Sequence, residues 1–250
     1  MSWKRIAAMH SKDGFCSGAL GWYGKLPASG DFAHRDMSRD LIQWWDKWLQ
    51  LGMAKLHGDR LGEAAYQSAP LWNFVVPAGL ETGVVQFGCM GASRDRVGRS
   101  FPLVIVFALP DDQYRPSLLA GAGPLYQSLG ACLVAALRHG CGTAQLENSL
   151  YGARGIIRRL CGSAPEQPAP SDGGADILSV LNGGHDIAIA HSEPDALGWS
   201  ELPMYFNPGA MTSYWWTNSS EGAAHKSHVH GGALNATLFN KLFVAHAGYR

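Results

Sequence analysis

Between Ser93 and Pro102 the chain reads Ser-Arg-Asp-Arg-Val-Gly-Arg-Ser-Phe-Pro, placing Arg94, Arg96 and Arg99 around Asp95 within six positions. A guanidinium presents a planar fork of N–H donors that grips a carboxylate or phosphate bidentately, so such a segment can read an anionic partner. The same residues can instead form an internal Arg–Asp pair that stiffens a loop, with Gly98 supplying a left-handed turn. Both readings stay open, because a stiff loop can also be a recognition loop. A second constellation is Asp31, His34 and Asp36, with Asp40 nearby. Two carboxylates and an imidazole can bind a metal or exchange protons, whereas Asp before a helix start more commonly caps backbone N–H groups. A third is His225, His228 and His230. If 228–230 is extended, two imidazoles share one face and can share a metal; the plainer alternative is an exposed, glycine-flanked loop.

Other signatures of catalysis are missing from the chain. There is no phosphate-binding GxxxxGK[ST] loop, no GxGxxG after a strand, no GxSxG elbow and no HExxH. Their absence weighs against an enzyme without eliminating one, because many active sites carry no short local signature; the expectation is a non-catalytic chain with no cofactor, metal or small-molecule substrate.

The elements that position these residues follow from hydrophobic spacing. Leu41, Trp45, Trp48, Leu49, Gly52 and Leu56 recur at helical intervals after Ser38, a natural N-cap, with Asp40 in the first turn. Tryptophans on one helix face favour a core position over a membrane or partner groove. Residues 71–76 and 83–90 read as strands, and Phe101 to Leu109 as a central strand covered on both faces, with Pro102 tolerable only near its start. Gly91 to Ser100 then becomes a long hairpin connection. Residues 124–139 read as a helix opened by Pro124 and closed by Gly140. Short strands are expected at 187–190 and 213–217, and a final helix or strand from Leu234 to Ala245. The expected fold is α+β, with a central, mainly antiparallel sheet flanked by helices on both sides. Residues 1–161 form the main unit, 162–176 a Pro/Gly-rich loop or linker, and 177–250 C-terminal strands and a helix packed on the same sheet.

Twenty Lys and Arg balance twenty Asp and Glu among 250 residues. A neutral chain lacks the basic excess that draws nucleic acid or anionic membrane. Its longest strongly apolar stretch falls far short of the roughly 20 residues that span a bilayer, and no secretory leader is evident, so the expected location is cytoplasmic. Five cysteines without a CxxC pair are expected to be buried free thiols.

Several segments together resemble the TagF (ImpM) family of type VI secretion-associated proteins. They are Gly21-Trp-Tyr-Gly24-Lys25-Leu26-Pro27-Ala-Ser-Gly30-Asp31-Phe32, Trp45-Asp46-Lys-Trp48-Leu49, Ala69-Pro70-Leu71-Trp72-Asn-Phe74 and Asp95-Arg96-Val97-Gly98-Arg99-Ser-Phe101-Pro102-Leu103. Ser213-Tyr-Trp215-Trp216-Thr217 is a looser match. The resemblance implies an accessory protein that restrains type VI secretion post-translationally by contacting the forkhead-associated scaffold protein of the apparatus, not by catalysis. Some relatives are fused to a PP2C-type phosphatase, for which this length leaves no room. The motif residues carried over are Gly24, Lys25, Leu26, Pro27, Gly30 and Asp31 in the first motif and Asp95, Arg96, Gly98 and Arg99 in the second, and the resemblance transfers no catalytic residue. Arg94 departs from the family pattern, which commonly has Pro-Ser-Val ahead of Asp-Arg-Val-Gly-Arg, and adds a positive charge. Asp31 and the Arg96/Arg99 loop are expected to form one polar patch, with Lys25 paired to Asp31 and Asp95 to the arginines.

Overall fold

The computed structural model describes residues 17–56, 60–162 and 197–244. The segment 163–176 and the strand expected at 187–190 lie outside the described residues. Seven strands form one sheet: β1 (Ala19–Lys25), β2 (Phe32–Arg35), β3 (Trp72–Val76), β4 (Val84–Gly91), β5 (Leu103–Pro110), β6 (Thr212–Thr217) and β7 (Ser227–Gly231). Their order is β2-β1-β5-β4-β3-β6-β7, and every neighbouring pair is antiparallel.

Side-chain alternation on β5 explains why the sheet has a core on each face. Leu103, Ile105, Phe107 and Leu109 enter one apolar cluster, while Val104, Val106 and Ala108 enter the other. A strand wedged between two dry layers needs both sets to be apolar, hence the unbroken run in the sequence. The first face is covered by α3 (Pro116–Ala120), α4 (Gly123–Arg138), α5 (Thr143–Ser149), α6 (Tyr151–Gly162) and α7 (Leu202–Tyr205). The second is covered by α1 (Arg39–Leu56), α2 (Arg60–Gln67) and α8 (Ala236–Phe243). The fold is α+β, an antiparallel sheet packed against helices on both faces.

Helix α1 begins where Ser38 Oγ accepts the Leu41 N–H at 3.2 Å. Its tryptophans are core residues whose indole N–H groups are satisfied inside the protein. Trp45 donates to Gln86 Oε1 at 2.8 Å and Trp48 to the Asn235 carbonyl at 2.8 Å. Gly52 lets α1 and α8 touch, since a Cβ there would lie 2.1 Å from the Phe239 ring.

Three segments take a form that the sequence left unassigned or open. The glycine-rich segment 19–25 is a strand, the stretch after Asp31 is the short edge strand β2 in place of a capping turn, and the His228/His230 tract is extended, as the opposite edge strand. The C-terminal apolar segment is the helix α8, capped by the Asn235 side chain, which accepts from Thr237 and Leu238 N–H at 3.0 Å each. Cys89, Cys132 and Cys141 are free thiols. Cys161 is disulfide-bonded, which corrects the expectation for that residue.

Candidate functional site

The arginine-rich segment is a hairpin that carries β4 and β5 past the end of the sheet. Phe101 N–H donates to the Ser93 carbonyl at 2.9 Å, Arg94 bridges Ser100, and Asp95 N–H donates to the Arg99 carbonyl at 3.1 Å. Gly98 N–H closes the turn onto the Asp95 carbonyl at 3.0 Å, with Gly98 at φ +90°. This is a three-residue hairpin loop of Arg96, Val97 and Gly98 ending in a left-handed glycine, a geometry that Asp at its first position and Gly at its fourth favour. The signal was present in the sequence as Asp-x-x-Gly.

Asp95 organises the loop. Its side chain is fully shielded (0% exposed), and its two oxygens are shared among four donors. Oδ1 accepts the Val97 and Arg99 N–H groups at 3.1 and 2.9 Å. Oδ2 accepts Arg99 Nε at 2.7 Å and Lys25 Nζ at 3.0 Å. Burial alone would raise the Asp95 carboxyl, but the Arg99 backbone N–H, the Lys25 ammonium and the Arg99 guanidinium together hold it well below the ordinary carboxylate range.

Lys25 is nearly as buried, with its side chain 6% exposed. It also donates to the Arg99 carbonyl at 3.3 Å and lies 5.1 Å from the centre of the Phe32 ring. Its ionic partner is therefore Asp95, which corrects the pairing with Asp31. Register causes the difference: Gly24 pairs with Leu103, so Lys25 points toward the root of the hairpin. Gly24 (φ +139°) is required there, because a Cβ would lie 2.1 Å from the Pro102 carbonyl oxygen.

The β1–β2 turn offers its backbone carbonyls to the hairpin. Arg96 N–H donates to the Ser29 carbonyl at 2.9 Å, and Arg99 Nη2 to the Gly30 carbonyl at 2.6 Å. Asp31 sits beside them, exposed, with its carboxylate accepting the Phe32 N–H at 2.8 Å. The root holds residues that sequence patterning does not single out. Buried Ser93 donates to the Lys25 carbonyl at 2.8 Å and is bracketed by Tyr66 Oη, which donates to its carbonyl at 3.1 Å and accepts its N–H at 3.0 Å. Gln67 and Glu63 of α2 hold Ser100 at 3.0 and 3.2 Å. Phe32, Tyr23 and Phe101 stack around the ammonium side of the site, with Phe32 and Phe101 edge-on at 4.7 Å.

The outer face carries Arg94, Arg96 and Val97, the last 66% exposed, beside Phe32 at 44%. Neither Arg94 nor Arg96 has an ion pair among the described residues.

The other two constellations are dispersed. His34 is exposed on β2, and Asp36 pairs with Arg154 at 3.2 Å, which also holds Glu147 at 2.9 Å. On β7, His228 packs 5.3 Å from Trp72, while His230 Nε2 lies 3.0 Å from the Ala233 carbonyl. Burial, then the charges of Lys241 and Lys226, push the His228 pKa down. His225 lines a small cavity beside the buried Trp216 indole N–H, which has no hydrogen-bond partner among the described residues. Among the described residues no three His, Cys, Asp or Glu groups are placed to hold one metal ion.

Residues 21–152, more than half of the chain and the span that contains the whole hairpin site, match the family model of the TagF N-terminal domain, type VI secretion system-associated. The chain belongs to the TagF family. The TagF fold seen here is similar to the crystal structure of PA0076 from Pseudomonas aeruginosa PAO1, with a TM-score of 0.57 and 24% identity over 92% of this chain and 96% of that one. At that identity the likeness speaks for the fold alone. No curated protein matches the chain. Among the described residues of this TagF protein, no helix is long and apolar enough to cross a membrane.

Proposed function

We propose that this TagF-domain protein is a cytoplasmic, post-translational negative regulator of type VI secretion that acts by binding the forkhead-associated scaffold of the apparatus and not by catalysis. Type VI association comes from family membership. The observation that supports binding is the hairpin: the buried charges of Lys25 and Asp95 hold a loop whose outer arginines, Arg94 and Arg96, make no ion pair among the described residues. A buried ion pair is weak evidence for stability, and its best-attested use is to specify one conformation. A rigid exposed loop suits docking, where ordering a flexible segment would cost affinity.

The alternative, a metal-dependent hydrolase built on Asp31, His34 and Asp36 or on His228 and His230, finds no support in the geometry, since Asp31, Asp36, His228 and His230 are directed to separate partners and His34 stands exposed on β2. The test combines co-precipitation with the purified scaffold and a secretion assay in the host bacterium. The reading expects capture of the scaffold, increased effector secretion on deletion of the gene, and reduced secretion on its overexpression. Unchanged secretion in both strains, or stoichiometric zinc or manganese in the purified protein with hydrolytic activity, rejects it.

A further inference from the structure

The three arginines of the hairpin have different tasks. Arg99 is committed internally, to Asp95 at 2.7 Å and to the Gly30 carbonyl at 2.6 Å. Arg94 and Arg96 flank the inward-facing Asp95, are exposed and have no carboxylate within ion-pair distance among the described residues. We propose that the exposed Arg94, Arg96 and Val97 form the docking tip of the protein, with the Arg96 guanidinium lying over Gly30 of the β1–β2 turn, and that the tip seats on a carboxylate-bearing, partly apolar surface of a protein partner. The proposal rests on the scaffold-binding reading and specifies the surface and its chemistry.

The backbone adds nothing for a phosphate beyond the guanidinium forks, and the apolar group beside them favours a protein surface bearing carboxylates. Phosphate-binding loops offer a cluster of free amide N–H groups. Here all five amides from 95 to 99 are occupied: Asp95 by the Arg99 carbonyl, Arg96 by the Ser29 carbonyl, Gly98 by the Asp95 carbonyl, and Val97 and Arg99 by Asp95 Oδ1. The tip offers guanidinium forks and an isopropyl group and no amide nest. Guanidinium forks match side-chain carboxylates bidentately, and the exposed Val97 and Phe32 edge supply apolar contact, the mixture of arginine and apolar or aromatic groups enriched at protein interfaces. Since the chain as a whole is neutral, attraction to an acidic partner has to come from a local patch such as this one.

The test measures binding of the full chain to the purified scaffold by titration calorimetry at low and high salt. Arg94→Glu and Arg96→Glu are each expected to weaken binding about tenfold or more, because a like charge then faces the partner's carboxylates. Affinity of the wild type should fall with salt. Arg158→Glu, on α6 over the other face of the sheet, should stay within about twofold. Thermal unfolding of the tip variants should match the wild type, because neither side chain makes an internal ion pair. Wild-type affinity in the R94E/R96E double variant overturns the proposal, as does abolition of wild-type binding by phosphatase treatment of the scaffold. If the wild type does not bind the scaffold at all, the partner reading fails by itself. The tip is then judged by the Arg Nε–H NMR signals on titration with an Asp- and Glu-rich decapeptide. Selective shifts of Arg94 and Arg96 support it, and no shift, or equal shifts of every exposed arginine, overturns it.

Discussion

Lys25 and Arg99 both contact Asp95, yet their environments assign them unequal weight. Lys25 is almost wholly shielded, whereas the Arg99 side chain is 58% exposed and shares its charge with solvent. Removing the buried cation leaves a desolvated carboxylate short of one charge, so Lys25→Met is expected to cost about 3 kcal/mol. Removing the exposed one, in Arg99→Ala, should cost about 1 kcal/mol. Urea denaturation of the two variants measures the difference, and equal losses would show that water reaches Asp95. The same carboxylate also sets a pH dependence. Its folded pKa lies below the ordinary value of about 3.9 that it takes up when the chain unfolds. Below about pH 5 the unfolded chain gains a proton that the folded one refuses, so the contribution present at neutral pH is progressively lost on acidification. Unfolding midpoints recorded from pH 7 to pH 3 should therefore fall more steeply for the wild type than for Asp95→Asn, which starts lower and lacks this component.

At the scale of elements, Gly98 and Gly24 separate two reasons for a glycine. Gly98 has φ +90° with open space around its Cα, so Gly98→Ala meets backbone strain alone and should cost about 1 kcal/mol. Gly24 combines φ +139° with a Cβ position 2.1 Å from the Pro102 oxygen, so Gly24→Ala has to push β1 off β5 and should lower the melting temperature several times as much. Thermal scans of the two variants decide it. These glycines also explain what could be read from the sequence. β3, β4, β5, α1 and α4 were legible because burial on defined faces imposes apolar runs or helical spacing on them. β1 was hidden because Gly21 and Gly24 weaken a strand pattern, although close approach of neighbouring backbone is what requires them. β2 and β7 are short edges whose alternating exposure leaves little apolar signal. In the site, the Asp95–Gly98 turn was legible because its determinants lie within four residues. The Lys25 partner was not, because the choice between Asp31, six positions away, and Asp95, seventy away, is made by strand register.

At the scale of the whole molecule, the span that carries the hairpin site depends on residues far beyond it. The face of the sheet under α1 is closed by aromatic groups from the last third of the chain. Trp215 lies 5.2 Å from Phe74 and 5.4 Å from Trp48, and Phe239 lies 6.1 Å from Trp48. Trp72 donates its indole N–H to the Leu242 carbonyl at 2.7 Å, and Asn218 joins buried Asn73 at 2.7 Å to the Tyr126 carbonyl at 2.9 Å. Cutting the chain after α6 removes β6, β7 and α8, strips the outer edge of β3, and exposes Trp45, Trp48, Trp72 and Phe74 together. An apolar sheet face beside an unpaired central strand is a template for aggregation. Residues 17–162, although they include the family-matched span, are therefore expected to show no cooperative unfolding and to elute as aggregates in size-exclusion chromatography, while the full chain unfolds in a single transition. A fragment that stays monomeric with a sharp transition would mean that the C-terminal strands are an appendage and not a wall of the core. It would also mean that the hairpin is positioned without them, by β1, β4, β5 and α2.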